Sequence, residues 1–364
     1  LFLLGISLPL VLTSRRGTSE VEKRRLAPFP GIPHTLDELN GFPAAAEAFF
    51  SDHFGFREPL VQVYNVMSVR LGVSPTGKAV VGKDGWFFYA NPKDGNVIQD
   101  YRNNDPLTQA DLEQWRTGLE QKQRWLRSQG IAYLFVIAPN KHTVYGEFLP
   151  DSITKVGARS RADQLVAYLA AQSDVPVLDL RPVMLAAKGD GPPLYDKTGT
   201  HWNAWGAAIA QHAIASALAE QVPSITPVRY AAPDFREEPG AADDDLARMM
   251  SVGDAFRVPS PVLISPLPAC ETQPLPDKAG RSRSEQPFQT LCPTAAGVDA
   301  LVFRDSFFIA LQPYISTYFH RASYIWAYMP DLTTVQAYAG ELRPQVVIEE
   351  CAERYLRPAA ALDQ

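Results

Sequence analysis

The sequence predicts an α/β protein with a mostly parallel sheet flanked by helices. Continuous apolar runs such as residues 131–138 are typical of strands that are covered on both faces. Segments with helical apolar spacing alternate with these runs, which indicates β–α–β units. The 364 residues suffice for one large domain of this class or for two ordinary ones.

The predicted elements follow one another along the whole chain. Helical apolar spacing marks the segment before residue 75, and two strands around a Lys-Asp-Gly turn are predicted at 79–90. A helix begins at Thr108, where Asp111 comes close to completing a capping box, and it ends at Gly130. The remaining elements are helices at 159–172 and 203–221, and strands at 175–180, 299–308, 322–328 and 344–350.

Three regions are expected. Residues 1–19 are the remnant of a truncated signal peptide or membrane anchor, and residues 20–90 form a lead-in of helices and a hairpin. Residues 91–356 form the main α/β domain, with an irregular insertion at 223–297. The apolar run at 1–12 supports export, although it has only about half of the ~20 residues needed to cross a bilayer. A buried core segment is the alternative interpretation of this run.

Composition argues against several classes of function. The formal net charge is −6 and no basic run is long enough to follow a phosphate backbone, so nucleic acid is not an expected partner. Cysteine and histidine are too few and too scattered for a structural zinc site. The sequence also has no phosphate-binding glycine loop, and no metal or other cofactor is expected.

Cysteine placement suggests a disulfide. Cys270 and Cys292 flank a polar, proline-containing segment that cannot build its own core. A bond between them would stabilise that segment by ~3 kcal/mol and would require an oxidising compartment. Two unrelated thiols are the alternative, and Cys351 is left over.

Two polar side chains lie where predicted strands give way to helices. Ser306, in "FRDSFF", follows a strand, and its hydroxyl would lie against helix N–H groups that favour negative charge. His201, in "HWNAWG", lies at the entry to the helix at 203–221. Taken singly, Ser306 is equally explained as an N-cap and His201 as a packing or capping residue. Because ligands bind at the carboxyl ends of the strands in such sheets, the two are predicted to be neighbours there.

Several motifs together resemble one family. They are "FPAAAEAFFSDHFGFREPLV", "VVGKDGWFFY", "VIAPNKHTVYGEFLP", "HWNAWGA", "FRDSFF" and "PQVVIEECAERYL", and they span about residues 22–356. In this order they resemble the periplasmic polysaccharide O-acetyltransferases related to the alginate acetylation proteins AlgX and AlgJ. The resemblance implies an SGNH-hydrolase-like domain in which the histidine motif precedes the serine motif, a permuted order relative to ordinary SGNH esterases.

The resemblance assigns two members of a catalytic triad. Ser306 matches the nucleophile and His201 matches the base. The family has an aspartate two residues before the histidine, whereas this chain has Gly199 there. Asp196, five residues before His201, is the remaining candidate, provided that the loop turns back toward the ring. The triad is therefore expected to be incomplete unless Asp196 completes it.

Other groups are candidates for binding the reacting ester. The backbone N–H groups of Ser306 and Phe307 are oxyanion donors by position. The Asn140 side chain is a further candidate, with a turn residue as the alternative. Arg304 is a candidate ligand for a substrate carboxylate, and a solvated or salt-bridged arginine is the other interpretation.

The expected function follows from the resemblance. It implies transfer of an acetyl group to an exported polysaccharide through acetyl-Ser306 in the periplasm, and the apolar run at 1–12 adds the expectation of an N-terminal anchor in the inner membrane. It also implies a membrane-bound O-acyltransferase as the acetyl donor. An acetylesterase that uses water as acceptor is one alternative. A catalytically weak polysaccharide-binding or scaffold protein is another, which Gly199 favours.

Overall fold

The computed structural model describes residues 16–19, 24–241, 244–277, 282, 285–293 and 297–357. The apolar run at 1–12 lies outside these ranges. Within them, no helix combines the length and the apolar character that a membrane span requires.

The described elements are these. The helices are α1 (Leu36–His53), α2 (Arg57–Arg70), α3 (Val97–Tyr101), α4 (Gln109–Ser128), α5 (Lys141–Val144), α6 (Arg161–Gln172), α7 (Arg181–Ala187), α8 (Ala204–Ala219), α9 (Asp245–Met249), α10 (Phe308–Ser316) and α11 (Leu332–Leu342). The strands are β1 (Thr18–Ser19), β2 (Arg24–Arg25), β3 (Ala79–Val81), β4 (Phe87–Tyr89), β5 (Ala132–Ala138), β6 (Val177–Asp179), β7 (Phe235–Pro239), β8 (Pro259–Leu263), β9 (Glu271–Pro274), β10 (Phe288–Leu291), β11 (Asp299–Arg304), β12 (Arg321–Trp326) and β13 (Val346–Ala352).

A central sheet of seven strands organises the main domain, in the order β6-β5-β13-β11-β12-β10-β9. The neighbours from β6 to β12 pair in parallel, whereas β10 and β9 are antiparallel at one edge. The prediction of a mostly parallel sheet between helices is confirmed. The carboxyl ends of β5, β13 and β11 therefore meet at one edge of the sheet, where residues 139–140, 353–354 and 305–306 follow them.

Both faces of the sheet are covered, which explains the continuous apolar runs. Along β5, Leu134 and Val136 pack into a core formed with α7, α8 and α10. The alternate residues Phe135 and Ile137 pack into a second core formed with α4, α6 and α11. Because successive side chains of a strand point to opposite faces, both alternating sets of β5 side chains lie in an apolar core.

The insertion at 223–297 is more ordered than predicted. It contains an antiparallel pair, β7 and β8, the short helix α9, and the two edge strands β9 and β10. Its strands are short and half exposed, and they include proline and glutamate, so they lack the apolar periodicity on which the prediction depended. The segment therefore holds short regular elements that the sequence did not predict, separated by irregular stretches.

A disulfide joins Cys270 to Cys292, with 4.5 Å between their Cα atoms. Cys270 directly precedes β9 and Cys292 directly follows β10, so the bond closes one end of this edge pair. The lead-in has a well-capped first helix, in which Thr35 and Glu38 form a capping box. It also contains the predicted hairpin, formed by β3 and β4.

Candidate active site

Ser306 lies between the end of β11 and the start of α10, and its loop is fixed by the residue before it. The Asp305 carboxylate accepts hydrogen bonds from the backbone N–H groups of Phe307 and Ala352, both at 2.7 Å. The Asp305 N–H donates to Glu350 Oε2 at 3.1 Å. Two of these bonds join the serine loop to β13 and the third closes the loop on itself, while the side chain of Ser306 stays half-buried.

His201 is the hydrogen-bond partner of Ser306. Its Nε2 atom lies 2.8 Å from Ser306 Oγ, so the two predicted residues meet at the carboxyl edge of the sheet. The ring packs edge-on against Phe307, with 4.9 Å between ring centroids. Helix α8 begins three residues later, and the side chain of its N-cap, Asn203, accepts from the N–H groups of Trp205 and Gly206. His201 is therefore positioned by a capped helix on one side and an aromatic ring on the other.

A carboxylate from a distant segment lies beside the other ring nitrogen. Asp245 Oδ2 is 3.5 Å from His201 Nδ1, and Asp245 Oδ1 accepts from the Thr200 N–H at 2.7 Å. Asp244, immediately before it, accepts from Thr198 Oγ1 at 3.0 Å and also caps α9. The carboxylate near the base thus comes from α9, which lies in the segment predicted to be irregular.

Asp196 does not take the position expected of it. Its carboxylate accepts from Ser260 Oγ at 2.8 and 3.0 Å and from Asn203 Nδ2 at 3.0 Å. The Asp196 carboxylate is thus bonded away from the His201 ring, contrary to the expectation, and the carboxylate beside that ring is the one of Asp245. Burial raises the pKa of Asp196, and its bonds to Asn203 and Ser260 oppose that shift.

The space beside Gly199 is limited by a neighbouring carboxylate. A Cβ atom built at this position would lie 2.7 and 2.8 Å from the two carboxylate oxygens of Asp244. Its backbone is not in the left-handed region, so the alternative of a positive φ does not apply. A side chain at residue 199 would therefore require the Asp244 carboxylate to move.

The loop before His201 is held by a buried ammonium group. Lys141 Nζ lies within hydrogen-bond distance of four carbonyl oxygens, those of Phe87 at 2.9 Å, Asp196 at 2.6 Å, Lys197 at 2.9 Å and Gly199 at 2.8 Å, and its three N–H groups are shared among them. Burial lowers the pKa of Lys141 to about 7, while the nearby Asp244, Asp245 and Asp196 act in the opposite direction. The sequence offered one signal for this lysine, its place directly after a buried strand.

Most of the groups predicted to bind the ester contact other residues of the protein instead. The Phe307 N–H is already bonded to Asp305. Asn140 is buried, and its side chain makes long contacts to Asp100 at 3.5 Å and to Arg354 at 3.4 Å. Arg304 lies against the rings of two residues, with its guanidinium carbon 4.7 Å from the centroid of Trp326 and 5.6 Å from that of Phe288.

Arg354 is the cation that sequence reasoning missed. It is buried, and its guanidinium carbon lies 5.2 Å from the ring centroid of Phe307, next to the serine. Burial lowers the pKa of His201, Asp245 opposes that shift, and the positive charge of Arg354 lowers it further. The net effect is a neutral imidazole at neutral pH, which is the form that can accept a proton from Ser306.

Comparison with known proteins agrees with this geometry. Residues 79–353 match the family described as the SGNH hydrolase-like domain of the acetyltransferase AlgX. The chain belongs to this family. The resemblance found in the motifs is thereby confirmed. The match begins at β3 and includes Lys141, His201, Asp245 and Ser306, and it ends one residue before Arg354.

Relatives and solved structures show the extent of the likeness. A "Probable alginate O-acetylase AlgJ" from Pseudomonas syringae pv. tomato is 26% identical over 188 residues, which cover 51% of this chain and 45% of that protein. The protein of the same name from Pseudomonas fluorescens is 27% identical over 219 residues, 56% of this chain and 50% of its own. The chain spans about half the length of these relatives.

The fold of this AlgX-family domain also resembles that of PatB1 from Bacillus cereus, whose structure was solved with a sulfonyl adduct. The TM-score is 0.52 at 17% identity, and the match covers 76% of this chain and 96% of PatB1. This likeness concerns the fold alone.

Proposed function

We propose that the chain transfers an acetyl group to a hydroxyl of an exported polysaccharide through an acetyl-Ser306 intermediate. The observation that carries this proposal is the 2.8 Å contact between Ser306 Oγ and His201 Nε2, with Asp245 on the opposite side of the ring. Membership in an acetyltransferase family and the names of the AlgJ relatives support transfer to a polysaccharide.

The first half-reaction forms the acetyl-enzyme. His201 Nε2 accepts the hydroxyl proton as Ser306 Oγ attacks the acetyl carbonyl carbon of the donor. The tetrahedral intermediate then collapses, and the leaving group of the donor departs with the proton from His201. Asp245 stabilises the imidazolium that exists between these two transfers.

The second half-reaction transfers the acetyl group to the acceptor and regenerates the free Ser306 hydroxyl. An acceptor hydroxyl gives its proton to His201 and attacks the acetyl carbonyl, forming the new ester while Ser306 Oγ leaves and recovers that proton. With water as acceptor the same steps describe an acetylesterase. The scaffold alternative was motivated by Gly199, and the carboxylate of Asp245 weakens that motivation.

Arg354 contributes charge to both half-reactions. Negative charge develops on the carbonyl oxygen in each tetrahedral intermediate, and a buried cation stabilises such charge more strongly than an exposed one. Arg354 lies next to Phe307, whose own N–H is engaged by Asp305. It is therefore a better candidate for this role than the Phe307 N–H.

The periplasm is the proposed location, with anchoring to the inner membrane and a membrane-bound O-acyltransferase as the acetyl donor. The Cys270–Cys292 disulfide supports an oxidising compartment. The apolar run at 1–12 supports export and anchoring. The donor partner is proposed from the family resemblance.

The test is to incubate the purified protein with p-nitrophenyl acetate and to measure both nitrophenol release and the intact mass. We expect a single acetyl adduct in the native protein and none in Ser306→Ala. Ser152→Ala, which alters an exposed serine, is the matched control and should be acetylated like the native protein. Equal labelling of Ser306→Ala, or no adduct on the native protein, would overturn the proposal.

A further inference from the structure

Exposed apolar side chains are concentrated in the lead-in. Among the described residues, thirteen of the twenty large apolar or aromatic side chains that are exposed lie between residues 29 and 73. Single exposed apolar residues are ordinary on a protein surface, whereas a cluster of them marks a surface that another body covers. The lead-in is therefore the part of the described molecule to search for an interaction surface.

Helix α2 carries six of these side chains on one side, at positions that follow the helical repeat from its N-cap to its C-cap. They are between 36% and 78% exposed, and together they are called the α2 stripe: Phe56, Leu60, Val63, Tyr64, Met67 and Leu71. The other side of α2 attaches to the domain. Asn65 Nδ2 donates to the Met250 carbonyl at 2.9 Å, and Val69 packs into a core with β3, β4 and α9. The stripe therefore faces away from the domain.

The composition of α2 indicates that both of its sides are covered. The eleven residues between Glu58 and Arg70 carry no charge. A helix that is apolar all round is typical of one that is buried on every side, whereas a helix on a water-facing surface has a polar outer face. The described part of the chain covers the Val69 side and leaves the stripe exposed.

The charges next to the stripe are positive. At helical spacing, Arg57 lies beside Leu60, and Arg70 lies beside Met67. The one acidic residue of the helix, Glu58, shares the domain side of α2 and accepts from Ser19 Oγ at 2.7 Å. Arginine can lay its methylene stem along an apolar surface while its guanidinium reaches an anion outside it. An apolar body with anionic groups at its boundary thus complements the stripe.

The chain reaches this surface directly after its apolar run. The run at 1–12 ends four residues before Arg16, and four residues span at most ~14 Å. Arg16 lines a cleft together with Phe50 of α1. Phe54 follows Phe50 by one helical turn, and its ring centroid is 6.5 Å from that of Phe56, where the stripe begins. Whatever holds the apolar run therefore lies close to the stripe.

We propose that the α2 stripe lies in the headgroup region of an anionic lipid bilayer, with α2 parallel to the membrane plane. Aromatic and aliphatic side chains on one face with arginine at its margins are typical of interfacial helices. The inference rests on the proposed membrane anchoring and adds a second contact with the same bilayer. An anchor alone lets the domain rotate, whereas two contacts fix which side of it faces the lipid.

A second copy of the chain fits this surface less well. In a symmetric pair of α2 helices, the arginines of one copy face arginines of the other, whether the helices run parallel or antiparallel. A stable dimer also needs ~800 Å² from each partner, more than one row of six partly exposed side chains supplies. Anionic lipid has neither difficulty.

The first experiment measures the depth of the stripe in a bilayer. A nitroxide is attached to Met67→Cys, in the stripe, or to Gln62→Cys, at an exposed position outside it. The native cysteines are buried or disulfide-bonded. On addition of vesicles of phosphatidylglycerol and phosphatidylcholine, collisions of the Met67 label with oxygen should increase and those with a water-soluble nickel complex should decrease. The Gln62 label should not change. An equal response of the two labels, or none at Met67, overturns the inference.

The same labels detect a second copy. Two copies that pair through α2 would bring their Met67 labels together and broaden the spectrum, and dilution with unlabelled protein would remove that broadening. We expect no such broadening in solution or on vesicles. Its appearance without the gain in oxygen collisions would assign the stripe to a dimer and overturn the inference.

The second experiment measures how much the stripe adds to binding. The double variant Leu60→Gln with Met67→Gln should bind the same vesicles at least about ten-fold more weakly than the native chain in a lipid titration. Leu185→Gln with Ile264→Gln replaces two side chains of similar exposure in other elements and should bind like the native chain. Equal binding by the two double variants overturns the inference.

These results separate the inference from the function on which it rests. Native vesicle binding by Leu60→Gln with Met67→Gln overturns the stripe inference and leaves the N-terminal anchor standing. Absence of vesicle binding by the native chain overturns both. Turnover of p-nitrophenyl acetate in solution should be the same in the native chain and in every variant of this section, because none of them alters the surroundings of Ser306. Its absence from the native chain would overturn the catalytic proposal alone.

Discussion

The two loops that carry Ser306 and His201 are held in different ways. The serine loop is fixed by its own neighbour, Asp305, which bonds within the loop and to the adjacent strand β13. The histidine loop depends on groups far away in the sequence, namely the ammonium of Lys141 and the carboxylate of Asp245. The difference teaches that the nucleophile is placed through one neighbouring residue and the adjacent strand of the sheet, whereas the base is placed by side chains from two helical segments, α5 and α9.

The largest effect is expected for Asp245→Asn, which removes the charge beside His201. The amide oxygen can still accept from the Thr200 N–H, so the fold should be preserved. Turnover of p-nitrophenyl acetate should fall by about 10³-fold, below the ~10⁴ known for loss of a tightly bonded triad aspartate. Thermal melting should be close to native. Asp196→Asn is the control, and a larger loss for it than for Asp245→Asn would reverse the assignment.

Asp305→Ala should affect stability, because it breaks the local support of the serine loop. It leaves the N–H groups of Phe307 and Ala352 without their charged acceptor. The free energy of unfolding in urea should fall by about 3 kcal/mol or more. Asp151→Ala, at an exposed ion pair with Lys83, should change it by less than ~1 kcal/mol. Equal effects of the two variants would contradict the role of Asp305.

Lys141→Ala should damage the histidine loop in a way that a small cation can repair. The variant leaves four carbonyl oxygens around a space the size of an ammonium group. Turnover should drop about 100-fold, because loss of a positioned base has effects of this order. Ammonium chloride should restore part of it, whereas tetramethylammonium chloride, which cannot donate hydrogen bonds, should not. An identical response to both salts would show that the carbonyl oxygens do not hold the loop through an ammonium group.

Gly199→Asp tests whether two acidic segments compete for one space. The new side chain would press on the carboxylate of Asp244, and overpacking of this kind destabilises by about 1–3 kcal/mol. The double variant Gly199→Asp with Asp244→Gly should recover most of that stability, as measured by a double-mutant cycle. Simple additivity of the two changes would show that the segments do not interact.

The smallest effect concerns pH. Burial and the charge of Arg354 lower the pKa of His201 from its usual 6.5. Only the neutral imidazole can act as base. We therefore expect kcat/KM to stay level as the pH falls through 6.5 and to decline only at the lower pH where His201 becomes protonated. Arg354→Met should move this decline toward higher pH, and Asp245→Asn should move it lower. A shift of this decline toward lower pH in Arg354→Met would show that the charge of Arg354 does not lower the pKa of His201.

Sequence reasoning reached the parts of the molecule that are encoded locally. The central strands follow from their apolar runs, and the pairing of Ser306 with His201 follows from the rule that ligands bind at the carboxyl ends of strands. Asp245 could not be found in this way, because α9 has five residues and lies between short strands without periodicity. The hydrogen bonds of Asp305 could not be predicted from the sequence either. They engage the Phe307 N–H and so remove it from the candidate oxyanion donors.

The disulfide between Cys270 and Cys292 also has a consequence for aggregation. Strand β9 is the outermost strand of the sheet, and an outer strand presents unpaired backbone groups on which another chain can add. Its partner along the other side is β10, and the disulfide joins the two strands at one end. In a reduced chain β9 can separate from β10, and the backbone of β10, a half-buried strand, then becomes the exposed edge. The bond therefore protects the next sheet edge from self-association while the protein is in an oxidising environment.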